Sequence, residues 1–341
     1  MLGFIKRLVM AATVMFAPLH AVLVILYCLA RLVGYVEYWI VDALSYVLPL
    51  LLLISVLHFP GAIWRRSPYL LSATALPLVV FGVLYGPNYV PRSASEHVEP
   101  SFSVMSYNVW AGNQKYEDIV DAIGELTPDV IGLQEITDLI AHEIQDDLAV
   151  RYPYSAIDGG QAVFSRYPIL DYEILLIGDE RIPITVQHIV LDVNGKQIGV
   201  VNAHPHSPQL IASRLVGLRI RYPSGLASRW RDLEVRELME AIETMDGPLV
   251  VLGDFNLTDL QLVYDEMTET LRDAHAEAGF GLGFTRTPVR GKGPPTWRID
   301  YVFYTPELVA LSTTHGDFGG SDHRPVMATL AFRSEAATDT P

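Results

Sequence analysis

The chain contains one cysteine, Cys28, in 341 residues, which excludes a disulfide framework and any thiolate-built metal site. Positive charge is also scarce, with 24 Lys and Arg against 39 Asp and Glu. At a pI near 5.0 the chain lacks the basic footprint that a sequence-independent grip on nucleic acid requires. Charge of either sign is sparse at the start. Residues 1–99 hold 6 of the basic and 4 of the acidic side chains, which leaves 18 and 35 for residues 100–341, a formal −17 there. A cleavable leader is not expected: the first apolar run is too long, no small-residue cleavage site follows it, and no small residue precedes Cys28. No internal repeat is visible.

What the first hundred residues do have is length without charge. Residues 8–30 are uncharged and follow Lys6-Arg7; residues 40–64 carry one acid, Asp42, and precede Arg65-Arg66; residues 69–86 lie between Pro68 and Pro87. About 20 apolar residues cross a bilayer as a helix, and none of the three segments shows the polar face of a soluble helix. Residues 1–90 therefore read as a membrane anchor of three transmembrane helices. Tyr35, Tyr38, Trp39, Trp64, Tyr69, Tyr85 and Tyr89 fall near the ends, where amphipathic rings favour the interface. The paired bases place the N-terminus in the cytoplasm, since Arg31 on the other side is balanced by Glu37. Three crossings then carry the rest of the chain outside. Residues 91–100 read as an exposed linker.

From residue 101 short apolar runs alternate with helical stretches. Strands are expected over 103–109, 129–133, 162–164, 182–193, 197–202, 299–304 and 325–332, with Asn194-Gly195 turning a hairpin. Helices are expected over 116–126, 137–150 and 228–243. Hairpins mixed with crossovers indicate two packed sheets with helices outside, not a doubly wound parallel sheet. One stretch organises the rest: Leu249 to Leu252 reads as a buried strand, and after Gly253 come Asp254 and Asn256. Two residues apart on extended backbone, these side chains leave on the same side. The pair could cap an Asx turn or form a catalytic floor.

Five further motifs place polar, acid–base or metal-capable groups at strand ends: Ser106-Tyr107-Asn108, Gln134-Glu135, Asn202-Ala203-His204, Arg298-Ile299-Asp300 and Ser321-Asp322-His323. Each has a plain reading, such as a turn cap, a solvated strand end or an Arg298–Asp300 pair. The six in this order do not. Together with Gly160-Gln161-Ala162-Val163-Phe164-Ser165-Arg166-Tyr167-Pro168-Ile169, they resemble the endonuclease/exonuclease/phosphatase superfamily of metal-dependent phosphoesterases. The resemblance covers residues 101–333 and leaves 334–341 as a disordered tail. It implies an α+β fold, the DNase I-like four-layered α/β sandwich, here preceded by three transmembrane helices.

The resemblance also implies a mechanism, in-line attack of water on a P–O bond with Mg²⁺, for which Mn²⁺ is a possible substitute. Glu135 would be the principal metal ligand, helped by Asn108 and Asp322, as suits a hard ion that takes few carboxylates and keeps waters. His323 would be oriented by Asp300, and Asp254 would orient or deprotonate the water. Asn256 and His204 would hydrogen-bond the phosphoryl oxygens. His206 rivals His204, but His204 has the matching place at the strand end. Whether Asp254 or His323 is the base stays open.

The superfamily does not choose a substrate. An acidic domain tied to a bilayer favours a lipid-linked phosphate, a phospholipid headgroup or a polyprenyl (pyro)phosphate, because tethering raises the effective concentration of its neighbours. The alternatives are an extracytoplasmic nuclease, against which the charge argues, and a non-catalytic phosphate-binding membrane module. Arg214, Arg219 and Arg221, interleaved with Leu210, Ile211, Leu215, Val216, Leu218 and Ile220, read as a substrate- or membrane-facing loop. Arg229, Arg231 and Arg236 read at least equally as partners of acids. Residues 284–297 read as a loop near the mouth of the site, with no contact assigned.

Overall fold

The computed structural model describes residues 1–34, 38–91, 101–113, 115–214, 221–288 and 293–333. Most of the expected linker, the tail, Tyr35, Glu37 and Arg219 lie outside the described residues. The chain divides into two compact units, Met1–Val90 with Leu210–Leu226, and Pro91–Gln209 with Ala227–Pro341.

The first unit contains helices α1 (Leu2–Leu32), α2 (Trp39–Arg65) and α3 (Pro68–Tyr85). All three are long and apolar enough to cross a membrane. Each keeps proline inside it: Pro18, Pro49 and Pro60, and Pro77, which spanning helices tolerate because neighbours re-satisfy the freed backbone groups. Their contacts are of the close, polar kind used where solvent cannot drive packing. A Cβ on Gly61 would lie 2.0 Å from Thr13 Oγ1. Ser55 Oγ and His20 Nδ1 are 3.2 Å apart, and Thr13 Oγ1 donates to the His58 carbonyl at 3.3 Å. Among the described residues, strands β8 (Gln209–Arg214) and β9 (Arg221–Ala227) pair with each other and with no other strand. The single domain expected over 101–333 is thus interrupted by an excursion that groups with the helices.

The second unit is built on two six-stranded sheets. The first comprises β1 (Ser101–Asn108), β2 (Val130–Gln134), β3 (Tyr154–Asp158), β4 (Gln161–Ser165), β13 (Leu308–His315) and β14 (Val326–Phe332), in the order β13-β14-β1-β2-β4-β3. The second comprises β5 (Ile169–Ile177), β6 (Ile184–Val193), β7 (Lys196–Ala203), β10 (Leu249–Asp254), β11 (Arg272–Asp273) and β12 (Asp300–Tyr304), in the order β11-β12-β10-β7-β6-β5. Alternation decides the layers. Phe102, Val104, Val130, Val200, Val250, Leu252 and Val302 form one core with β14's Ala328 and Leu330. The opposite faces lie in other cores: Met105, Tyr107, Ile131 and Leu133 pack with α4 (Tyr116–Leu126) and α5 (Asp138–Leu148). Val201, Leu249, Val251, Tyr301 and Phe303 pack with α6 (Arg229–Ile242) and α7 (Leu262–Thr270). The result is helix, sheet, sheet, helix, the four layers expected. A short α8 (Ala274–Ala278) completes the unit.

Two parallel pairings, β1 with β2 and β7 with β10, bring four C-terminal strand ends to one edge. The antiparallel register Asp254 to Asp300 brings the start of β12 there as well. Along the inter-sheet faces, apolar residues give way to Ser106 and Asn108, Gln134, Asn202, Asp254 and Asp300. These buried amides are paired: Gln134 Nε2 donates across the sheets to Asn202 Oδ1 at 2.7 Å, and Asn202 Nδ2 donates within its own sheet to Gln187 Oε1 at 3.0 Å. Satisfied in this way they stiffen the floor of the site, where an unpaired amide would be costly.

Candidate active site

Asp254 is the hub. Its Oδ2 accepts from Asn108 Nδ2 at 3.0 Å and lies 3.6 Å from His204 Nε2 and 3.7 Å from His323 Nε2; its Oδ1 accepts from the Asn256 amide at 3.0 Å. The strand can end so close to its neighbour only because residue 253 is glycine. A Cβ there would sit 1.8 Å from the Ala203 carbonyl oxygen, and its φ is +155°. Asn256 follows at φ +53°, a region asparagine visits more readily than most residues. The Arg231 guanidinium, 1% exposed, fixes that turn through an Nη1 bond of 2.9 Å to the Asn256 carbonyl.

Glu135 comes directly after β2, also at positive φ (+53°), which turns its carboxylate back to the edge. Its oxygens accept from Asn108 Nδ2 at 3.0 Å and from the Ala111 amide at 3.2 Å, and His204 Nε2 is 3.7 Å away. Burial pushes the Glu135 pKa up, but Asn108, His204 and the Ala111 amide outweigh it, and the carboxyl ends below its ordinary value. Asp254 goes the other way: burial, helped by Asp300, holds it above the usual range against the pull of His323 and His204.

His323 is held from below. Its Nδ1 is 3.0 Å from both oxygens of Asp300, so Nε2 is the atom that looks toward Asp254. Ser321 ties the loop down, donating to the Asn108 carbonyl at 2.7 Å and accepting from the His323 amide at 3.0 Å. Burial lowers the His323 pKa, but the carboxylates of Asp300 and Asp254 overcome it and push it up to about 9. The imidazole is a cation at neutral pH, clamped between two carboxylates.

The structure therefore brings together Asn108, Glu135, His204, Asp254, Asp300 and His323. Glu135, His204 and Asp254 present ligand atoms within 4.8 Å of one another, as do Asp254, Asp300 and His323. The first group fits a divalent ion that keeps several waters: an ionised carboxylate, a second carboxylate and an imidazole, with Glu135 and His204 partly exposed to solvent. Three expected residues sit otherwise. Asn108 turns its amide nitrogen to the carboxylates and spends Oδ1 on the Trp110 amide at 2.9 Å, so it is placed to orient the acids. Asp322 lies against Arg286, 3.5 Å from its Nη2, and belongs to neither group. Asn256 is tied by its side chain to Ser207 Oγ and the Pro205 carbonyl. His206 is paired with Glu234, away from the acid cluster. Arg298 pairs with Asp259 and Asp273, leaving Asp300 to His323.

Of the three loop arginines, Arg221 is exposed in β9, Arg214 ends β8, and Arg219 is outside the described residues. Arg231 and Arg236 pair with Asp232 and Glu266. Two residues at or beside the site have no strand-end motif to reveal them. Arg231 reads in sequence as one more charged residue of a surface helix, and Arg286 as part of a loop.

Residues 105–323 match the model of the Endonuclease/Exonuclease/phosphatase family. The chain belongs to that family, a family of divalent-metal-dependent phosphoesterases, and is an enzyme of that hydrolase class. No curated protein matches it significantly. Among solved structures it is similar to the endonuclease/exonuclease/phosphatase from Bacteroides vulgatus, with TM-score 0.55 and 18% identity over 69% of this chain and 100% of that one. It is also similar to D. rerio TDP2 complexed with single strand DNA product, with TM-score 0.53 and 17% identity over 68% and 99%. A third is the human Nocturnin catalytic domain with bound sulfate anion, with TM-score 0.51 and 18% identity over 69% and 94%. At such identities these likenesses establish the fold.

Proposed function

We propose that the protein is a membrane-anchored, Mg²⁺-dependent phosphoesterase that hydrolyses a lipid-linked phosphate, a phospholipid headgroup or a polyprenyl (pyro)phosphate, on the extracytoplasmic side. The observation that carries the reading is the convergence of Glu135, His204, Asp254 and the Asp300–His323 pair on one edge in a chain that also has three helices fit to span a bilayer. The acidity of residues 100–341 supports a lipid over a nucleic acid, since a polyanion held throughout its length would be repelled.

Glu135 and Asp254, with His204 beside them, would hold the ion, which supplies a polarised phosphoryl group when bound. In this reading Asp254 also orients the attacking water and accepts its proton. His323, kept cationic by Asp300, sets a positive charge against the phosphoryl oxygens as negative charge grows there. Asp300 works through His323 and is a positioning residue.

The test offers the purified full-length chain phospholipid, polyprenyl pyrophosphate and plasmid DNA in parallel, with Mg²⁺ and then with EDTA. Phosphate or headgroup release from lipid, abolished by EDTA, is expected. DNA cleavage without release from lipid would reverse the substrate order, and no hydrolysis with any divalent ion would end the reading. Protease access to residues after 100 in intact cells tests the orientation; a protected domain would put it in the cytoplasm.

A further inference from the structure

Arg286 stands beside this site with its hydrogen-bonding capacity mostly unspent. Its backbone is fixed on two sides. The Arg286 amide donates to the Trp297 carbonyl at 2.9 Å, and the Thr296 amide to the Arg286 carbonyl at 2.9 Å. On the other side, the Thr287 amide donates to the Asp322 carbonyl at 3.0 Å and the Arg324 amide to the Thr285 carbonyl at 2.7 Å. Arg286 thus lies opposite both Trp297 and His323 in antiparallel bridges, and residues directly opposite in such a bridge project to the same face. Its guanidinium sits 5.6 Å from the centre of the Trp297 ring, a contact worth having for a planar cation.

The head group itself is poorly used. Among the described residues Nε is buried with no hydrogen-bond partner, and Nη2 reaches Asp322 only at 3.5 Å, well beyond the 2.7–2.9 Å of a strong charge-assisted bond. Nε is closed to solvent, so the terminal nitrogens are the fork left for a carboxylate or phosphate, and Nη1 makes no hydrogen bond among the described residues. The side chain as a whole is 27% exposed, which leaves that end of the guanidinium for a small ligand. Its charge also acts on Asp254 and His323, drawing both pKa values down against the net rise that burial gives the first and the carboxylates give the second.

We propose that Arg286 is a substrate-binding residue that takes a non-bridging phosphate oxygen beside the Asp254–His323 pair, a place that Asp322 fills weakly in the absence of substrate. The proposal rests on the phosphoesterase reading for the identity of the anion. It explains why a cation is fixed on a scaffold stitched from both sides yet left without a full set of acceptors. It also gives Asp322 a definite part: it keeps the guanidinium from remaining an unpaired buried charge, and yields it to a stronger acceptor.

The test uses the full-length chain in nanodiscs with Mg²⁺ and inorganic phosphate as the probe, its binding followed by calorimetry, alongside KM and kcat on a soluble phosphodiester. Arg286→Gln is expected to weaken phosphate binding and raise KM by about tenfold to a hundredfold, the range of a hydrogen bond to a charged group, with a smaller effect on kcat. Arg286→Lys keeps the charge but loses the fork, and is expected to recover only part of the affinity. Asp322→Asn removes the competing carboxylate and is expected to tighten phosphate binding. Unchanged phosphate affinity in Arg286→Gln, full recovery in Arg286→Lys, or weaker binding in Asp322→Asn would each overturn the proposal. If the wild type hydrolyses no phosphate ester but loses phosphate binding in Arg286→Gln, the functional reading falls and the anion site stands. Normal hydrolysis with unaltered affinity does the reverse.

Discussion

The substitution Asp300→Asn tests how the imidazole at the centre of the site is held. Asp300 opens β12, is fully buried, and offers both oxygens to His323 Nδ1 at 3.0 Å. Asparagine fills the same volume and keeps an acceptor but removes the charge. A pKa raised from 6.5 to about 9 corresponds to on the order of 3 kcal/mol between the two protonation states. Burial acts against the cation, and Asp300 is the larger of the two carboxylate contributions. Without it, His323 should titrate near or below neutrality. The sign for stability follows. Because the folded-state value is raised, this stabilisation is complete below pH 6.5 and is lost as the pH climbs through about 9. In Asp300→Asn that loss between pH 6.5 and 9 should flatten, and the protein should be less stable at pH 6 by a few kcal/mol. The rate at neutral pH should fall by roughly 10²- to 10³-fold, the range for losing a group that stabilises developing oxyanion charge. The assay is an NMR titration of His323, assigned by comparison with His323→Gln, together with thermal unfolding and rates over the same pH range. A His323 in Asp300→Asn that still titrates near 9, with an unchanged rate, would refute the reasoning.

Three further outcomes are expected. Glu135→Gln should raise the Mg²⁺ concentration for half-maximal rate by about tenfold or more; a rate-versus-metal curve that does not move would remove Glu135 from the ion. Gly253→Ala should cost at least about 2 kcal/mol, because its Cβ meets the Ala203 carbonyl oxygen at 1.8 Å; an unshifted melting curve would show that β7 and β10 can part without penalty. Serine in place of exposed Leu210, Ile211 and Tyr222 on the β8–β9 hairpin should slow hydrolysis of a lipid phosphate in vesicles while leaving a soluble diester unaffected, and equal loss on both substrates would take the hairpin away from the membrane surface.

Elements with one clean periodicity were legible from composition alone. The apolar spacing of Ile119 and Ile123 places α4 on its observed residues, and Asn194 and Gly195, at φ +56° and +87°, turn the β6–β7 hairpin as their residue types suggest. The second and third apolar segments correspond to α2 and α3 within one residue at each end, whereas α1 starts at Leu2, before its charged pair Lys6-Arg7 and six residues ahead of the apolar run. Strand β5 was not legible because its residues are mostly exposed or half-exposed and so carry neither a buried run nor an alternation. Strand β13 shifts register between Ala310 and Ser312, which breaks its pattern, and α7 lacks a capping side-chain bond. At the site, the strand-end polar residues could be found because burial of a polar group after an apolar run is visible in one dimension. Arg286 could not. Its meaning comes from Asp322, 36 residues away, and from two backbone bridges that no local spacing records.

The charges at the edge can be counted to ask what the site still needs. Glu135, Asp254, Asp300 and Asp322 formally bring four negative charges into a small, largely buried space, while His323 and Arg286 return two positive ones. The carboxylates share their neighbours: Asn108 and His204 lie between Glu135 and Asp254, His323 between Asp254 and Asp300, and Arg286 beside Asp322. A pocket in that state repels any phosphate. One divalent ion at Glu135 and Asp254 brings the formal balance to zero, and an arriving phosphate then meets the ion on one side and His323 and Arg286 on the other. The low pKa of Glu135 keeps its carboxylate ready for the ion, and the raised pKa of His323 keeps its proton available to the anion. Metal must therefore precede phosphate. Calorimetric titration of inorganic phosphate into the metal-free chain should show binding at least about tenfold weaker than with Mg²⁺ present, and equal affinity in both states would mean that the arginine and histidine alone outweigh the four acids.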